Sequence, residues 1–327
     1  MRILMMAVGV AAFAGAALAD DSSAALQAGS IVFTKNTPVK MAAEDLFVSP
    51  GAVRIRFEFS NPTRRDVETL VAFPLPDLSA SEFWGSPIGT VTDDPKNFVG
   101  FKAVVDGKPV PFTIEQRAFV KNKDVTASVL AAGAPLNPTS NDGYAKLAGL
   151  PKEKQKALVA AGVAESDGGE LIPQWTVRTR FYWPQKFPAG KTVVIEHSYQ
   201  PVTGQSFFST EYQKRSEKFG GIDYCFDAQT WAALEAKTGK ARNNPDMGSY
   251  MVAYQTAYIL TTAGNWQGPI GRFHLTIDKK APDNLISLCW DGELKKTGPT
   301  SFEFSQENFA PKRDLHFVVF ENAGPIQ

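Results

Sequence analysis

The feature that most constrains the fold of this chain is an alternation of apolar and polar side chains over residues 52–60. One side of the strand that this pattern predicts carries Val53, Ile55, Phe57 and Phe59. A second strand over residues 67–73 ends at Pro74 and Pro76, because proline donates no ladder hydrogen bond. Further along, Asp106-Gly107 is typical of a hairpin turn between two more strands. The pattern predicts a β-sandwich.

The length of 327 residues favours about two domains. We expect a mainly β protein in which residues 20–201 form a first β-sandwich and residues 202–327 form a second, sandwich-like domain. Residues 121–172 are rich in Ala, Leu and Lys and poor in β-branched residues, which predicts short helices inserted into the first domain. In the second domain, Asp227 predicts the start of one helix over about residues 228–237.

The N-terminus predicts export from the cytoplasm. Residues 1–19 combine the positive charge of Arg2, an apolar run and the small residues Ala17-Leu18-Ala19, as in a removed signal peptide. A membrane anchor is the alternative, but the apolar run is short and lacks a positive flank on its far side. No later stretch approaches the roughly 20 apolar residues of a membrane span. We therefore expect a soluble periplasmic or secreted protein without a transmembrane segment after signal removal.

Charge and cysteine content agree with that compartment. The chain has 34 Lys and Arg against 34 Asp and Glu, which argues against nucleic acid as a partner. Cys225 and Cys289 are its two cysteines, and neither belongs to a C-x-x-C pattern. A structural disulfide between them is the favoured interpretation in an oxidising compartment, with free thiols as the alternative.

The sequence contains none of the common patterns of a catalytic, nucleotide-binding or metal site. We therefore predict no catalytic residue, no metal and no cofactor. The leading hypothesis is a non-enzymatic protein that binds an envelope protein or a small ligand. The alternative is an envelope hydrolase that acts on a glycan or a peptide through carboxylates brought together by folding.

Two sets of residues are candidates for a binding surface. The first set is a patch for an anionic group, formed by Arg54, Arg56, Arg178 and Arg180. The alternative for these arginines is a solvated sheet face with weak ion pairs to residues such as Glu58 and Glu196.

The second set is an aromatic platform for a sugar or an apolar ligand, formed by Trp175, Tyr182, Trp183, Tyr254 and Tyr258. The alternative for these residues is packing in the core. If the platform exists, the helical insertion at residues 121–172 could cover it as a lid.

The chain resembles a family of exported bacterial proteins named domain of unknown function 4424. The resemblance is carried by DDSSAALQAG, TKNTPVKMAAEDLFVSP, VRIRFEFSN, TLVAFPLPDL, QWTVRTRFYWPQKFPAGKTVVIEHSYQP and NWQGPIGRFHLTID. It implies export but no activity, since the family has none assigned. Residues 52–110 also resemble the VIT domain of inter-α-trypsin-inhibitor heavy chains, which implies a β-sandwich used for interaction.

Overall fold

The computed structural model of this chain describes residues 22–27, 30–33, 37–82, 91–92, 94–140, 142–215, 217–238 and 250–322. The predicted signal peptide, residues 1–19, lies outside them. Within the described residues, no helix is both long enough and apolar enough to cross a membrane.

The described chain is built mainly from β-strands, as predicted. In chain order the strands are β1 (Ser22–Gln27), β2 (Ser30–Phe33), β3 (Lys40–Ser49), β4 (Ala52–Ser60), β5 (Val67–Pro74), β6 (Leu78–Ser79), β7 (Lys102–Val105), β8 (Lys108–Pro109), β9 (Thr113–Val120), β10 (Lys123–Asp124), β11 (Ala164–Asp167), β12 (Glu170–Pro173), β13 (Thr176–Phe187), β14 (Thr192–Tyr199), β15 (Gly204–Phe208), β16 (Met251–Tyr258), β17 (Ile270–Asp278), β18 (Leu285–Leu288), β19 (Lys295–Lys296), β20 (Ser301–Phe309) and β21 (Leu315–Asn322). The α-helices are α1 (Thr126–Ala131), α2 (Gly143–Ala148), α3 (Lys152–Ala160) and α4 (Ala228–Thr238), and a 3-10 helix spans Thr261–Asn265.

The largest sheet joins strands from both ends of the chain. Its order is β19-β20-β17-β3-β4-β14-β7-β8, and β17 pairs with β3 in parallel, with Arg272 opposite Ala43. Strands from both sides of the predicted boundary near residue 202 therefore share one sheet. The prediction of two separate sandwiches in tandem is not confirmed, because alternation shows which face a residue occupies but not which strands are neighbours.

A second sheet packs face to face against this one. Its order is β10-β9-β13-β5-β1-β2, with β6 also paired to β13. Alternate residues of β13 are buried, and the same is true of β4 and β14, as their sequence patterns predict. Phe73 of β5 lies 5.2 Å from Phe101 and 4.9 Å from His197, measured between ring centroids. Each such aromatic side chain stabilises the core by roughly 1.5–3 kcal/mol.

A smaller sheet, in the order β15-β16-β21-β18, separates two apolar clusters. Phe317 and Val319 on one face of β21 belong to the main core. Val318 and Phe320 on the other face pack with Trp231 and other residues into a second cluster. Helix α4 follows the predicted bounds to within one residue, and the Asp227 carboxylate caps it by accepting a hydrogen bond of 2.6 Å from the Thr230 N–H.

The predicted insertion contains α1, α2 and α3, and it also contains the hairpin β11–β12. The turn of this hairpin is formed by Gly168 and Gly169, both at positive φ, which glycine adopts without a steric cost.

The predicted disulfide is present. Cys225 and Cys289 are bonded, with their Cα atoms 5.0 Å apart. The bond attaches the segment before α4 to the end of β18. Asp223 lies beside the two sulfur atoms, but sulfur atoms bonded in a disulfide are not thiolates and do not serve as thiolate ligands to a metal.

Candidate functional site

A cleft of about 360 Å³ lies where the four-stranded sheet meets the ends of the two large sheets. The wall on the side of the large sheets includes Leu75, Leu78, Phe98, Val99, Tyr199 and Pro201. The opposite wall includes Gly220, Ile222, Tyr224, Gln255, Ala257 and His316. The cleft therefore combines residues from distant parts of the chain.

Prolines end the strands that lead into the cleft wall on the side of the large sheets. Strand β5 ends at Pro74, and β14 ends at Tyr199, two residues before Pro201. Because proline cannot continue a ladder of hydrogen bonds, both segments leave their sheets near these prolines. The residues just after each strand end are then available to line the cleft rather than to extend a sheet.

The disulfide and two glycines shape the second wall. The segment that carries Gly220, Ile222 and Tyr224 is attached to β18 by the bond from Cys225. The Gln255 side chain lies close to both Gly204 and Gly220, since a Cβ added at Gly220 would be 3.0 Å from Gln255 Nε2. Gly220 also has a φ of +57°, which favours glycine. The missing side chains leave room for the Gln255 amide in the cleft.

Two polar groups beside the cleft lack a hydrogen-bond partner in the part of the chain that the structure describes. They are the hydroxyl of Tyr199, a residue that is 6% exposed, and Nδ1 of His316. Burial raises the pKa of Tyr199, so the hydroxyl keeps its proton. Burial also lowers the pKa of His316, partly opposed by Asp314, so this imidazole is mainly neutral at pH 7. Buried polar groups without a partner are costly, so a ligand or water that reached them would be favoured.

The charged residues of the cleft are acidic. Asp77, Glu82 and Asp314 line it, and no Lys or Arg does so among the described residues. Asp77 forms an ion pair with Arg178, with 3.0 Å between Oδ2 and Nε. Asp314 Oδ1 accepts hydrogen bonds from the N–H groups of Leu260 and Thr261 and from the Thr261 hydroxyl.

The four predicted arginines do not form one patch. Arg54 and Arg56 lie on β4 of the eight-stranded sheet, whereas Arg178 and Arg180 lie on β13 of the sheet packed against it. The two pairs point outward from opposite faces of the sandwich, because the residues between them on each strand are buried in the shared core. The expected neighbour of Arg56 on β14 is present, since Glu196 lies directly opposite it.

Most of these guanidinium groups already have partners within the protein. Arg56 pairs with Glu58 at 2.6 Å, and Arg180 pairs with Glu115 at 2.8 Å. Arg178 contacts Asp77 and lies over the ring of Phe119, 4.1 Å from its centroid. Arg54 lies over the Phe47 ring at 3.8 Å. This arrangement corresponds to the solvated-face alternative, and binding of an anion at these residues stays a prediction.

The predicted aromatic platform is not one surface. Trp175, Trp183 and Tyr258 are each 1% exposed and belong to the main core. Tyr182 projects from the outer face of the seven-stranded sheet, and Tyr254 packs partly against the core on β16. The core-packing alternative accounts for the three buried residues, because alternation along their chain segments places them inward. No described residue of the insertion at 121–172 lines the cleft.

A different aromatic surface is exposed. Phe207 and Tyr212 are 74% and 83% exposed, and the Phe207 and Tyr250 rings are 4.8 Å apart. Together with Phe208, Ser209, Gln213 and Phe219, they surround a shallow depression. Phe207 lies on β15, which is an end strand of the four-stranded sheet among the described strands.

One carboxyl is buried outside the cleft. Glu44 shares the inward face of β3 with Leu46 and Val48 and is 0% exposed. The Tyr258 hydroxyl donates a long hydrogen bond of 3.4 Å to Oε1, and Oε2 has no partner among the described residues. Burial raises the pKa of Glu44 to about 8; the Tyr258 hydrogen bond opposes this rise, and the charge of Asp45 adds to it. Glu44 is therefore largely protonated at pH 7.

Comparison with known proteins gives a family but no activity. A family model described as Domain of unknown function (DUF4424) matches residues 19–318. This match confirms the resemblance seen in the sequence and does not support the local likeness to the VIT domain. The search of curated proteins found no match.

Among solved structures, a protein from Legionella pneumophila described as a "putative nutrient binding protein" is 14% identical to this chain. The likeness covers 86% of this chain and 67% of that one, with a TM-score of 0.41. At this level of similarity, the function of that protein is not transferred to this chain.

Proposed function

The chain belongs to the DUF4424 family, and we propose that it is a non-enzymatic envelope protein that binds a small ligand in the cleft. The observation that carries this proposal is a concave site with apolar walls and a few converging polar groups, two of which lack partners among the described residues. Small-molecule sites in proteins commonly have this combination. The Gln255 amide adds a further donor and acceptor in the cleft.

The geometry favours binding over hydrolysis. A hydrolase of the kind considered above needs two carboxyl groups that face each other across the substrate, one of them with a raised pKa. Among the described carboxyl groups, the one with a resolved upward pKa shift belongs to Glu44, which does not line the cleft. In the cleft, Asp77 pairs with Arg178 and Asp314 accepts hydrogen bonds near the 3-10 helix. These contacts hold both carboxylates in place on the cleft wall.

We place the protein in the periplasm or outside the cell. The disulfide between Cys225 and Cys289 supports this location, because such bonds persist in oxidising compartments. The disulfide also holds one wall of the cleft, so the site would be intact in an oxidising compartment.

Titration with a neutral fluorescent probe tests ligand binding. We expect N-phenyl-1-naphthylamine to bind the purified mature protein saturably at one site. Ala257→Trp adds an indole to the cleft wall and should weaken binding by at least about tenfold, since it removes roughly 1.4 kcal/mol.

Ala160→Trp is the matched control, because Ala160 is exposed near the end of α3 and lies outside the cleft. It should change the affinity by less than about twofold. Equal affinities for the protein and its Ala257→Trp variant would overturn the proposed function.

Binding of an envelope protein stays a second prediction. The exposed aromatic surface at Phe207, Tyr212 and Tyr250 is the observation that favours it. A photocrosslinking amino acid at Tyr212 should label a partner in the periplasm if this surface is used. An equal yield of labelled proteins from a probe at Ala160 would argue against it.

A further inference from the structure

The charge of the cleft indicates what class of ligand it accepts, and this inference rests on the proposed function. Asp77, Glu82 and Asp314 line the cleft, and none of its described lining residues is Lys or Arg. His316 supplies little positive charge at pH 7, because burial lowers the pKa of its imidazole. A ligand in the cleft therefore experiences an excess of negative charge.

The three carboxylates differ in how far they are neutralised. Asp77 is paired with Arg178 at 3.0 Å, and its charge is largely compensated within the protein. Asp314 Oδ1 accepts hydrogen bonds from the N–H groups of Leu260 and Thr261 and from the Thr261 hydroxyl. These donors are neutral, so they do not compensate the charge of the carboxylate. Glu82 is exposed at the rim. Glu82 and Asp314 thus dominate the field that a ligand meets.

The apolar part of the cleft is suited to a cation as well. Phe98, Tyr199 and Tyr224 contribute aromatic side chains to the walls. The faces of such rings attract cations, and the attraction grows as water is excluded. An anion is repelled by the carboxylates, with no described cation in the lining to offset the repulsion.

We propose that the cleft binds an organic cation, an amine carried on an apolar body. The amine lies toward Glu82 and Asp314, and the apolar body lies against Leu75, Leu78 and Ile222. The arginines that the sequence suggested for an anion lie outside this lining, which is consistent with a cleft that disfavours carboxylates and phosphates.

Three naphthalene probes of different charge test the proposal. 1-Naphthylmethylamine, 1-naphthylmethanol and 1-naphthylacetate share an apolar body that a cavity of about 360 Å³ accommodates. Each is titrated against the mature protein at about pH 7.5, where the amine is protonated and the acid is ionised. We expect the amine to bind at least about tenfold more tightly than the carboxylate, with the alcohol between them.

Isosteric variants identify the charges responsible. Glu82→Gln and Asp314→Asn each remove one negative charge, and Asn keeps an oxygen that accepts the bonds from Leu260 and Thr261. Each should lower the ratio of amine to carboxylate affinity by about threefold. Glu153→Gln, on exposed α3 outside the cleft, should leave the ratio unchanged. If Asp314→Asn lowers the thermal midpoint, Glu82→Gln alone decides the question.

The outcomes separate the two claims. Carboxylate affinity equal to or above that of the amine, with all binding lost in Ala257→Trp, would overturn the cation proposal and leave the proposed function standing. Binding that is absent for all three probes, or unaffected by Ala257→Trp, would overturn the proposed function itself.

Discussion

Replacement of Glu44 by Gln should stabilise the protein in mildly alkaline solution and have little effect in acid. Glu44 is fully buried on β3, between sheets, and its Oε2 has no partner among the described residues. Gln has the same shape and can accept the Tyr258 hydrogen bond, but it cannot ionise. The variant therefore removes the cost of placing a negative charge in the core at any pH.

The sign and size of this effect follow from the pKa of Glu44. Burial raises it from 4.5 to about 8, so above pH 4.5 the folded protein binds more protons than the unfolded chain. The free energy of unfolding then falls with increasing pH and levels off once the folded pKa is passed. At about 1.4 kcal/mol for each pKa unit, the full loss is roughly 5 kcal/mol. Between about pH 5 and pH 9, most of this loss should appear in the native protein and be absent from Glu44→Gln.

Urea unfolding followed by tryptophan fluorescence measures the effect. The native protein, Glu44→Gln and Glu307→Gln are compared at about pH 5, 7 and 9. Glu307 is an exposed carboxylate on β20 of the same sheet, so its variant should follow the native protein at each pH. A difference between native protein and Glu44→Gln that stayed constant from pH 5 to pH 9 would show that Glu44 does not titrate with a raised pKa, and the reasoning would fail.

Three further variants test other parts of the fold. Replacement of both cysteines by serine, Cys225→Ser with Cys289→Ser, removes the disulfide and should lower the free energy of unfolding in urea by roughly 4 kcal/mol, because the bond closes a loop with a sequence separation of 64. An unchanged urea midpoint would contradict this prediction. Gly271→Ala should lower the free energy of unfolding by about 2–3 kcal/mol in the same measurement, because the added Cβ would lie 2.6 Å from the Ala42 carbonyl oxygen where β17 meets β3. Gly264→Ala is the control, because a Cβ added there would have no contact within 4 Å. His197→Phe should lose less stability in acid than the native protein. Burial lowers the pKa of His197 from 6.5 to about 3, so the unfolded chain binds more protons than the folded protein as the pH falls through that range. If the free energies of unfolding of the two proteins changed in parallel between pH 6.5 and pH 4, this prediction would be refuted.

Local features of the fold were predictable from the sequence because their causes are local. The alternation over residues 52–60 predicts β4, and the prolines after residue 73 predict the end of β5. The Asp227 cap predicts the start of α4, and two cysteines in a chain expected to be exported predict their own bond. In each case the physical reason lies within a few residues or in the chemistry of a single pair.

Strand neighbours were not predictable in the same way. The parallel pairing of β3 with β17 joins segments near opposite ends of the described chain, and nothing in either pattern specifies the other. Alternation places the arginines of β4 and β13 on outward faces, but it does not show that the two strands lie in different sheets. The cleft needs residues from both sides of the predicted boundary, and no local pattern indicates that they meet.

The buried carboxyl of Glu44 did leave a signal in the sequence. Glu44 has the same parity as Leu46 and Val48 along β3, which places it on the inward face by the rule used for the other strands. For the aromatic residues, the same rule favours the core-packing alternative. Trp175 and Trp183 fall on the inward face of their chain segment, and that pattern already favoured the core over a binding surface.

The contact between β3 and β17 has a consequence for how this polypeptide acquires its shape. A chain threaded through a membrane with its N-terminus first would deliver β3 early and its parallel neighbour only near the end. The entropy of closing so long a loop must be overcome before that ladder forms, which slows folding. Until then, one edge of β3 stays open to other extended segments, and under the proposed export holdase chaperones outside the cytoplasm should matter most for the incomplete chain.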